Sequence, residues 1–187
     1  KVTGEITYKE DRFIKFNPNS EVIDNLAKRA KKLKALIPNN FKQTKSFIAY
    51  EWEPGKTIYS YNSLKVYKKF LRFFENIIEN SKIKSITKKA VDEFYITKTQ
   101  IRKQSFIEKY GERYLKNQFV INGKSYESFE SILSNIDYSS LYKSSTYNYF
   151  HGDLQFDNII NNDEKENFTY IDWRESFAGN TEEGDIY

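Results

Sequence analysis

The chain has 187 residues, with 30 Lys and Arg, 26 Asp and Glu and a formal net charge of +4, which suits one globular domain or a compact two-lobed one. The absence of Cys excludes disulfides, thiol nucleophiles and Cys-ligated zinc, and the mild basic charge lacks the aromatic-interleaved pattern of a dedicated nucleic-acid binder. Because no apolar run approaches the ~20 residues of a bilayer span and no signal-peptide pattern opens the chain, we expect no membrane span and a cytoplasmic location.

Strands with one helix are predicted for the N-terminal part of the chain. Residues 5–16 form a predicted β-hairpin, because its second half is rich in β-forming residues. Ser20 is expected to cap a helix that runs to about Leu36, and a strand over 46–52 and a turn over 53–56 follow. The apolar face of that helix is predicted from residues at helical spacing, namely Val22, Leu26, Ala30 and Leu33.

Helices and then a hairpin are predicted for the rest of the chain. An amphipathic helix begins near Ser63, 87–115 is mostly helical, 119–124 is a small hairpin or loop, and 126–133 is a short helix. Residues 156–161 and 168–173 are predicted strands on either side of a polar loop.

This order predicts an α+β protein of two lobes. The boundary is expected near 53–56. Residues 1–55 would form a small lobe built on an antiparallel sheet, and residues 56–187 a larger, mainly helical lobe that carries the C-terminal hairpin.

The run His-Gly-Asp-Leu-Gln-Phe-Asp-Asn at 151–158 is the most informative segment, and Asp172 follows Asn158 by fourteen residues. Phosphoryl transfer needs oxygen ligands that hold Mg²⁺ against nucleotide phosphates, and a separate carboxylate beside the attacking hydroxyl. The predicted hairpin folds the chain back so that Asn158 and Asp172 lie side by side. Alone, Asp153 could be a turn residue and Asp172 a strand-end cap. At this spacing, the three together favour a catalytic site.

The same residues resemble the catalytic signature of the protein-kinase superfamily, His-x-Asp-x-x-x-x-Asn followed by a metal-binding Asp. His-Gly-Asp-Leu at 151–154, Ile-Asp-Trp at 171–173 and Gly-Asp-Ile-Tyr at 184–187 are similar to the aminoglycoside phosphotransferase and choline kinase branch. The resemblance is strong over 148–187 and fair over 10–56. It implies a protein-kinase-like two-lobed fold and the use of ATP and Mg²⁺.

Transferred to this chain, the resemblance implies that Asp153 is the catalytic base and that Asn158 and Asp172 are the Mg²⁺ ligands. His151, the only histidine, is interpreted as a buried residue that orders the loop rather than as a catalytic one. Arg174 directly follows the Asp-Trp pair, and both a substrate contact and a surface ion pair remain open for it.

The nucleotide-binding residues are also implied by the resemblance. Lys15 matches the lysine that holds the α- and β-phosphates, although an outward strand lysine is the competing interpretation. Glu21 is chosen over Asp24 as its acidic partner. The carbonyl of Glu51 and the N–H of Glu53 would meet the adenine edge.

The C-terminal end of the chain is interpreted as truncated relative to that family, and two interpretations stay open for the N-terminal end. A glycine-rich loop should precede Lys15, and since only Gly4 is found there, that loop is either missing from the given sequence or was never present. The Tyr-Asp-Leu run that closes the family pattern would begin where the chain stops, at Tyr187.

The predicted activity is transfer of the γ-phosphate of ATP to a hydroxyl of a sugar, a choline- or ethanolamine-like amino alcohol or an aminoglycoside, in surface polysaccharide or lipid head-group synthesis. The alternative is a nucleotide-binding pseudokinase or regulatory module without turnover, which the missing glycine-rich loop favours. Protein kinase activity is disfavoured, since no Ala-Pro-Glu follows Asp172. The oligomeric state is left open.

Overall fold

The computed structural model describes residues 6–9, 11–163 and 167–185, with side chains from residue 11 onward. Gly4, the middle of the predicted polar loop at 164–166, and the last two residues of the 184–187 run lie outside these ranges. The fold is mixed α+β, with helices and small antiparallel sheets, as the sequence predicts.

Short strands and helices alternate along the described chain. The strands are β1 (Ile6–Lys9), β2 (Arg12–Phe16), β3 (Lys42–Gln43), β4 (Phe47–Glu51), β5 (Lys56–Thr57), β6 (Ile83–Ser85), β7 (Phe119–Ile121), β8 (Lys124–Tyr126), β9 (Ser145–Tyr147), β10 (Ile159–Asn162) and β11 (Asn167–Tyr170). The α-helices are α1 (Ser20–Leu33), α2 (Leu64–Glu79), α3 (Lys88–Val91), α4 (Lys98–Tyr110), α5 (Arg113–Lys116) and α6 (Phe129–Ser134). Short 3₁₀ turns cover Lys34–Leu36, Ile58–Ser60, Tyr138–Lys143 and Phe156–Asn158, and a π-helical turn covers Asp92–Thr97.

The described residues form two compact units. The first takes the described parts of 1–84 and 145–187, and the second is Ser85–Ser144. The expected lobe boundary near 53–56 stays a prediction. β5 begins directly after residue 55 and pairs with β10, whereas β4, which precedes it, belongs to a different sheet.

The N-terminal hairpin is confirmed and belongs to a four-stranded antiparallel sheet of order β1-β2-β4-β3. Helix α1 packs on this sheet through its apolar face, as the helical spacing predicts. One detail of the prediction is wrong: the side chain of Asn19, not Ser20, caps α1 by accepting the N–H of Glu21 at 3.0 Å. The α-helix also ends at Leu33, and the last predicted residues form a 3₁₀ turn.

The C-terminal hairpin is confirmed as the antiparallel pair β10–β11, with Ile159 opposite Tyr170. Every residue of β10 is buried, so both faces of this strand are covered. Gly55 lets β5 approach β10, because a Cβ at that position would lie 2.3 Å from the carbonyl oxygen of Asn161. The hairpin is thus held from a second side, by the segment that follows β4.

The core of the first unit joins α1, α2 and both sheets, and an arginine lies inside it. Arg29, on α1, is fully buried, and its guanidinium donates to the carbonyl oxygens of Asn148 at 3.1 Å, Thr181 at 3.2 Å and Phe150. It also stacks over the ring of Phe150, 3.6 Å from the centroid. Burial lowers the pKa of Arg29 to about 10, which still leaves it charged at neutral pH. Arg29 therefore ties α1 to the segment that leads into the 151–158 loop.

The second unit is a helical module with a small hairpin. Helix α3, the π-helical turn and α4 run continuously, and β7 and β8 form the predicted hairpin. The buried side chains of this unit are few, namely Ile86, Val91 and Leu115. Across the described parts of the chain, no helix combines the length and the apolar character needed to cross a membrane.

Candidate functional site

The 151–158 loop is ordered by its histidine, as the sequence interpretation expected. His151 is 2% exposed; its Nδ1 accepts the main-chain N–H of Asp153 at 3.2 Å, and its Nε2 lies 2.9 Å from the carbonyl oxygen of Ile171. Because Nδ1 faces a donor, the neutral tautomer with the proton on Nε2 satisfies both contacts. The histidine thus joins the loop to the chain just before Asp172.

Burial lowers the pKa of His151 below its ordinary value of 6.5. Below pH 6.5 the unfolded chain therefore takes up a proton that the folded chain resists. The free energy of unfolding should be fully retained above pH 6.5 and fall as the pH drops below it, by at most about 1.4 kcal/mol per pH unit. No other side chain has an ordinary pKa in this window, since His151 is the only histidine and the chain has no Cys.

Urea unfolding at pH 7.5 and pH 5.5 measures this effect. The wild-type chain should be less stable at pH 5.5, and in His151→Gln the difference between the two pH values should shrink. An equal difference in both proteins would show that carboxylates, not His151, carry the pH dependence.

Both carboxylate oxygens of Asp153 have partners. Oδ1 accepts from Nε2 of Gln155 at 2.7 Å, and Oδ2 accepts from Nη2 of Arg174 at 2.9 Å. The main-chain oxygen of Asp153 accepts Nδ2 of Asn158 at 2.9 Å. The loop therefore closes on itself between 153 and 158, with the carboxylate directed at the side chain of Arg174.

Asp172 lies just beyond β11 with a positive φ of 54°, a conformation that non-glycine residues seldom adopt. Trp173 holds the chain on the far side: it is 2% exposed, packs 5.7 Å from the ring of Tyr50, and donates its Nε1 to the carbonyl oxygen of Leu26 at 3.2 Å. Burial, and secondarily the charge of Asp172, raises the pKa of Tyr50. With Trp173 locked in the core, the side chain of Asp172 stays at the surface, 41% exposed.

Lys15, on β2, forms an ion pair with Oδ1 of Asp172. The Lys15 side chain is 22% exposed and that of Asp172 is 41% exposed, so both are accessible to solvent and neither is sealed in the interior. The structure thus brings the predicted phosphate lysine to a predicted metal ligand 157 residues later in the chain.

A cleft of about 260 Å³ contains this ion pair and Asp153. Its walls are formed by Lys15, Asn17, Val22, Leu26, Asp153, Asp172, Trp173, Arg174 and Glu175. Two predicted site carboxylates and the predicted phosphate lysine therefore face one space, with Arg174 as its second cation.

Asn158 is not among the residues that line this cleft, and it lies at the base of the hairpin. Its main-chain oxygen accepts the N–H of Ile171 at 2.9 Å, which continues the β10–β11 ladder up to the residue before Asp172. With Nδ2 bound to the loop, the atom that Asn158 can offer a cation is its amide oxygen.

The donor set suits Mg²⁺. Asn158 and Asp172 offer an amide and a carboxylate oxygen, and Asp172 already accepts a positive charge from Lys15. Among the described residues no group of three or more His, Asp or Glu could hold a metal ion. The oxygen atoms that these two residues could offer a cation are the amide oxygen of Asn158 and the carboxylate of Asp172.

The structure does not bring Glu21 to Lys15. Glu21 is exposed in the first turn of α1, and in the described part of the chain Lys15 makes its ion pair with Asp172. The reason is that Lys15 points toward the C-terminal hairpin, while Glu21 lies at the solvated start of the helix.

The predicted adenine-contacting residues lie at the end of β4. Glu51 is the last residue of β4, where its N–H donates to the carbonyl oxygen of Asn39 at 3.0 Å and its carboxylate accepts from Asn40. The carboxylate of Glu53 is buried and accepts Nδ2 of Asn162 at 2.8 Å. Their side chains thus support the fold, and a contact with adenine would use their main-chain groups alone.

Sequence reasoning missed Gln155, Arg29 and Trp173 as residues that position the site. Arg29 had a signal, since it lies three residues after Leu26 and four before Leu33 on the apolar face of α1. The sequence carried no such signal for Gln155, because its position two residues after Asp153 in a loop does not indicate a contact between the two side chains.

Comparison of the chain with protein-family models, curated proteins and solved structures finds no match in any of the three. The function must therefore be inferred from the site itself.

Proposed function

We propose that this chain is an ATP- and Mg²⁺-dependent phosphotransferase with a kinase-like two-lobed fold, which phosphorylates a hydroxyl of a small molecule in the cytoplasm. The observation that carries the proposal is the cleft that Lys15, Asp153 and Asp172 share. Phosphoryl transfer needs a cation for the phosphates, an oxygen ligand for the metal and a carboxylate for the hydroxyl, and this cleft has one of each.

Asp153 is the base in this proposal. The acceptor oxygen bonds to the γ-phosphorus while the bond from that phosphorus to the β–γ bridging oxygen breaks, and ADP leaves with the electron pair. The proton of the acceptor hydroxyl goes to Asp153 and from there to water. A carboxylate that is 21% exposed can both reach a substrate and release a proton.

Lys15, Asn158 and Asp172 hold the nucleotide end. Mg²⁺, held by Asn158 and Asp172, would neutralise charge on the phosphate oxygens. Lys15 would move from Asp172 to the phosphates, and the low energy of a partly exposed ion pair permits that exchange.

A nucleotide-binding module without turnover is the second candidate, and one observation favours it. The two carboxylates to which the proposal gives a role are already paired, Asp153 with Arg174 and Asp172 with Lys15. If ligands did not displace these cations, the chain would bind a nucleotide without using Asp153.

Release of ADP, followed against a panel of acceptors, tests the proposed function. The full chain with ATP and Mg²⁺ is offered neutral sugars, choline, ethanolamine, aminoglycosides, hydroxy acids and sugar phosphates, and phosphorus NMR identifies the phosphorylated product. We expect ADP release that depends on one acceptor class and stops when EDTA removes Mg²⁺.

Nucleotide binding without ADP release across the panel would support the second candidate. Phosphorylation of a peptide array in preference to the small molecules would contradict the proposal of a small-molecule acceptor.

A further inference from the structure

Arg174 covers the carboxylate that the proposed function uses as its base. Its Nη2 donates to Oδ2 of Asp153 at 2.9 Å, while Gln155 occupies Oδ1. Because each carboxylate oxygen has two lone pairs, a hydroxyl that gives its proton to Oδ2 either shares that oxygen with the guanidinium or displaces it. The acceptor must therefore lie next to Arg174.

The main chain of Arg174 is fixed although its side chain is exposed. Its N–H donates to the carbonyl oxygen of His151 at 3.0 Å, and the preceding Trp173 is locked in the core. The side chain crosses directly over Gly152, where an added Cβ would lie 2.8 Å from the Cβ of Arg174. Gly152 has a φ of +83°, so both its conformation and the close approach favour glycine. The guanidinium therefore starts from a defined position at the mouth of the cleft.

The contact between Arg174 and Asp153 is easy to exchange. The Arg174 side chain is 55% exposed, and ion pairs with that access to water contribute little net free energy. A guanidinium binds carboxylate and phosphate groups through two parallel hydrogen bonds, which a second anion can supply in place of Asp153. An acceptor with such a group would draw Arg174 away and free Oδ2.

We infer that Arg174 selects the acceptor, and that the acceptor carries an anionic group, carboxylate or phosphate, near the hydroxyl that is phosphorylated. This inference rests on the proposed function. The acceptor's anion takes the guanidinium, Oδ2 of Asp153 takes the proton of the hydroxyl, and the γ-phosphoryl group moves from ATP to the acceptor oxygen with release of ADP.

Cationic acceptors are disfavoured by the same geometry. The positive charge of choline or an aminoglycoside would have to approach Asp153 past Arg174. Glu175, which also lines the cleft, is the group that such a cation would use instead. The preference of the site for an anionic or a cationic acceptor therefore depends on whether Arg174 or Glu175 contacts the acceptor, and experiment can distinguish these two cases.

The test uses four small probes of similar size: glycerol 3-phosphate, glycerate, glycerol and choline. Their binding to the full chain is measured by ligand NMR line broadening without nucleotide, and their phosphorylation is measured by ADP release with Mg-ATP. The proteins are the wild-type chain, Arg174→Gln, Arg174→Glu and the control Arg72→Gln, which changes an exposed arginine on α2.

The wild-type chain should bind the two anionic probes in preference to glycerol and choline. Arg174→Gln should raise KM for the preferred anionic probe about 10- to 100-fold, the value of a charged hydrogen-bonded contact, with a smaller change in kcat. Arg174→Glu should reverse the preference toward choline, and Arg72→Gln should behave as the wild-type chain. Comparison of glycerol 3-phosphate with glycerate shows which anion the site takes.

Preference of the wild-type chain for choline, binding of none of the anionic probes, or an anionic preference that Arg174→Gln leaves unchanged would overturn the inference. Failure of the proposed function looks different. In that case the anionic probes bind in an Arg174-dependent way and no probe is phosphorylated, so the anion site stands without the transferase activity.

Discussion

Replacing Asp153 by Asn should lower the rate of ADP release by about 10²- to 10⁴-fold, the usual contribution of a positioned general base. Asn has almost the same shape as Asp, and its amide oxygen can still accept a hydrogen bond from Arg174 or Gln155. It cannot take up the proton of the acceptor. Because Lys15, Asn158 and Asp172 are unchanged, the affinity for Mg-ATP should change little. Initial rates of ADP release and a nucleotide titration measure the two quantities.

Asp157→Asn is the matched control for this substitution. Asp157 lies in the same loop, four residues after Asp153, and its side chain is exposed. The Asp157→Asn substitution removes the same negative charge from the loop, at a residue that does not line the cleft. Equal rates of ADP release for the wild-type chain and Asp153→Asn would show that Asp153 is not the general base. A comparable loss of rate in Asp157→Asn would mean that net charge, not proton transfer, explains the effect.

The parts of the site that sequence could predict are the local ones. The spacing of Asn158 and Asp172 around two β-rich stretches predicts the hairpin, and the β10–β11 register confirms it. His151 as a buried, loop-ordering residue follows from the same short segment. These contacts all lie within the stretch of about 20 residues from His151 to Asp172, and the resemblance rests on the same stretch.

The long-range partners could not be predicted. Lys15 and Asp172 are 157 residues apart, and no local pattern indicates that they meet; only the resemblance assigns both of them to the nucleotide phosphates. The expected partner, Glu21, was chosen because the resemblance implies an acidic partner on the helix that follows Lys15, whereas the pairing depends on how α1 and the first sheet pack on the hairpin. Trp173 decides that packing by binding the main chain of α1 at Leu26.

The pairing of β5 with β10 could not be predicted for a related reason, since β10 lies far away in the sequence. A two-residue strand carries no periodicity of its own. The cap of α1 shows the limit of local reasoning on a smaller scale, since Asn19 and Ser20 are both good capping residues and only geometry separates them.

Asp172→Asn should remove the Mg²⁺ dependence of ATP binding. Asp172 is the carboxylate of the proposed metal pair, and an amide in its place has no negative charge to hold the cation. We expect Mg-ATP affinity to fall about 10- to 100-fold, the range found when groups that support a metal site are removed. Folding should survive, because loss of the partly exposed pair with Lys15 costs about 1 kcal/mol or less.

Calorimetric titration of ATP into the wild-type chain and Asp172→Asn, each with Mg²⁺ and with EDTA, is the sharpest test of the proposed metal site. A metal held by Asn158 and Asp172 predicts tight binding to the wild-type chain that weakens when Mg²⁺ is removed, and weak, Mg²⁺-insensitive binding to Asp172→Asn. Identical, Mg²⁺-dependent titrations for the two proteins would contradict it, because the metal and its nucleotide would then be held by atoms outside this cleft.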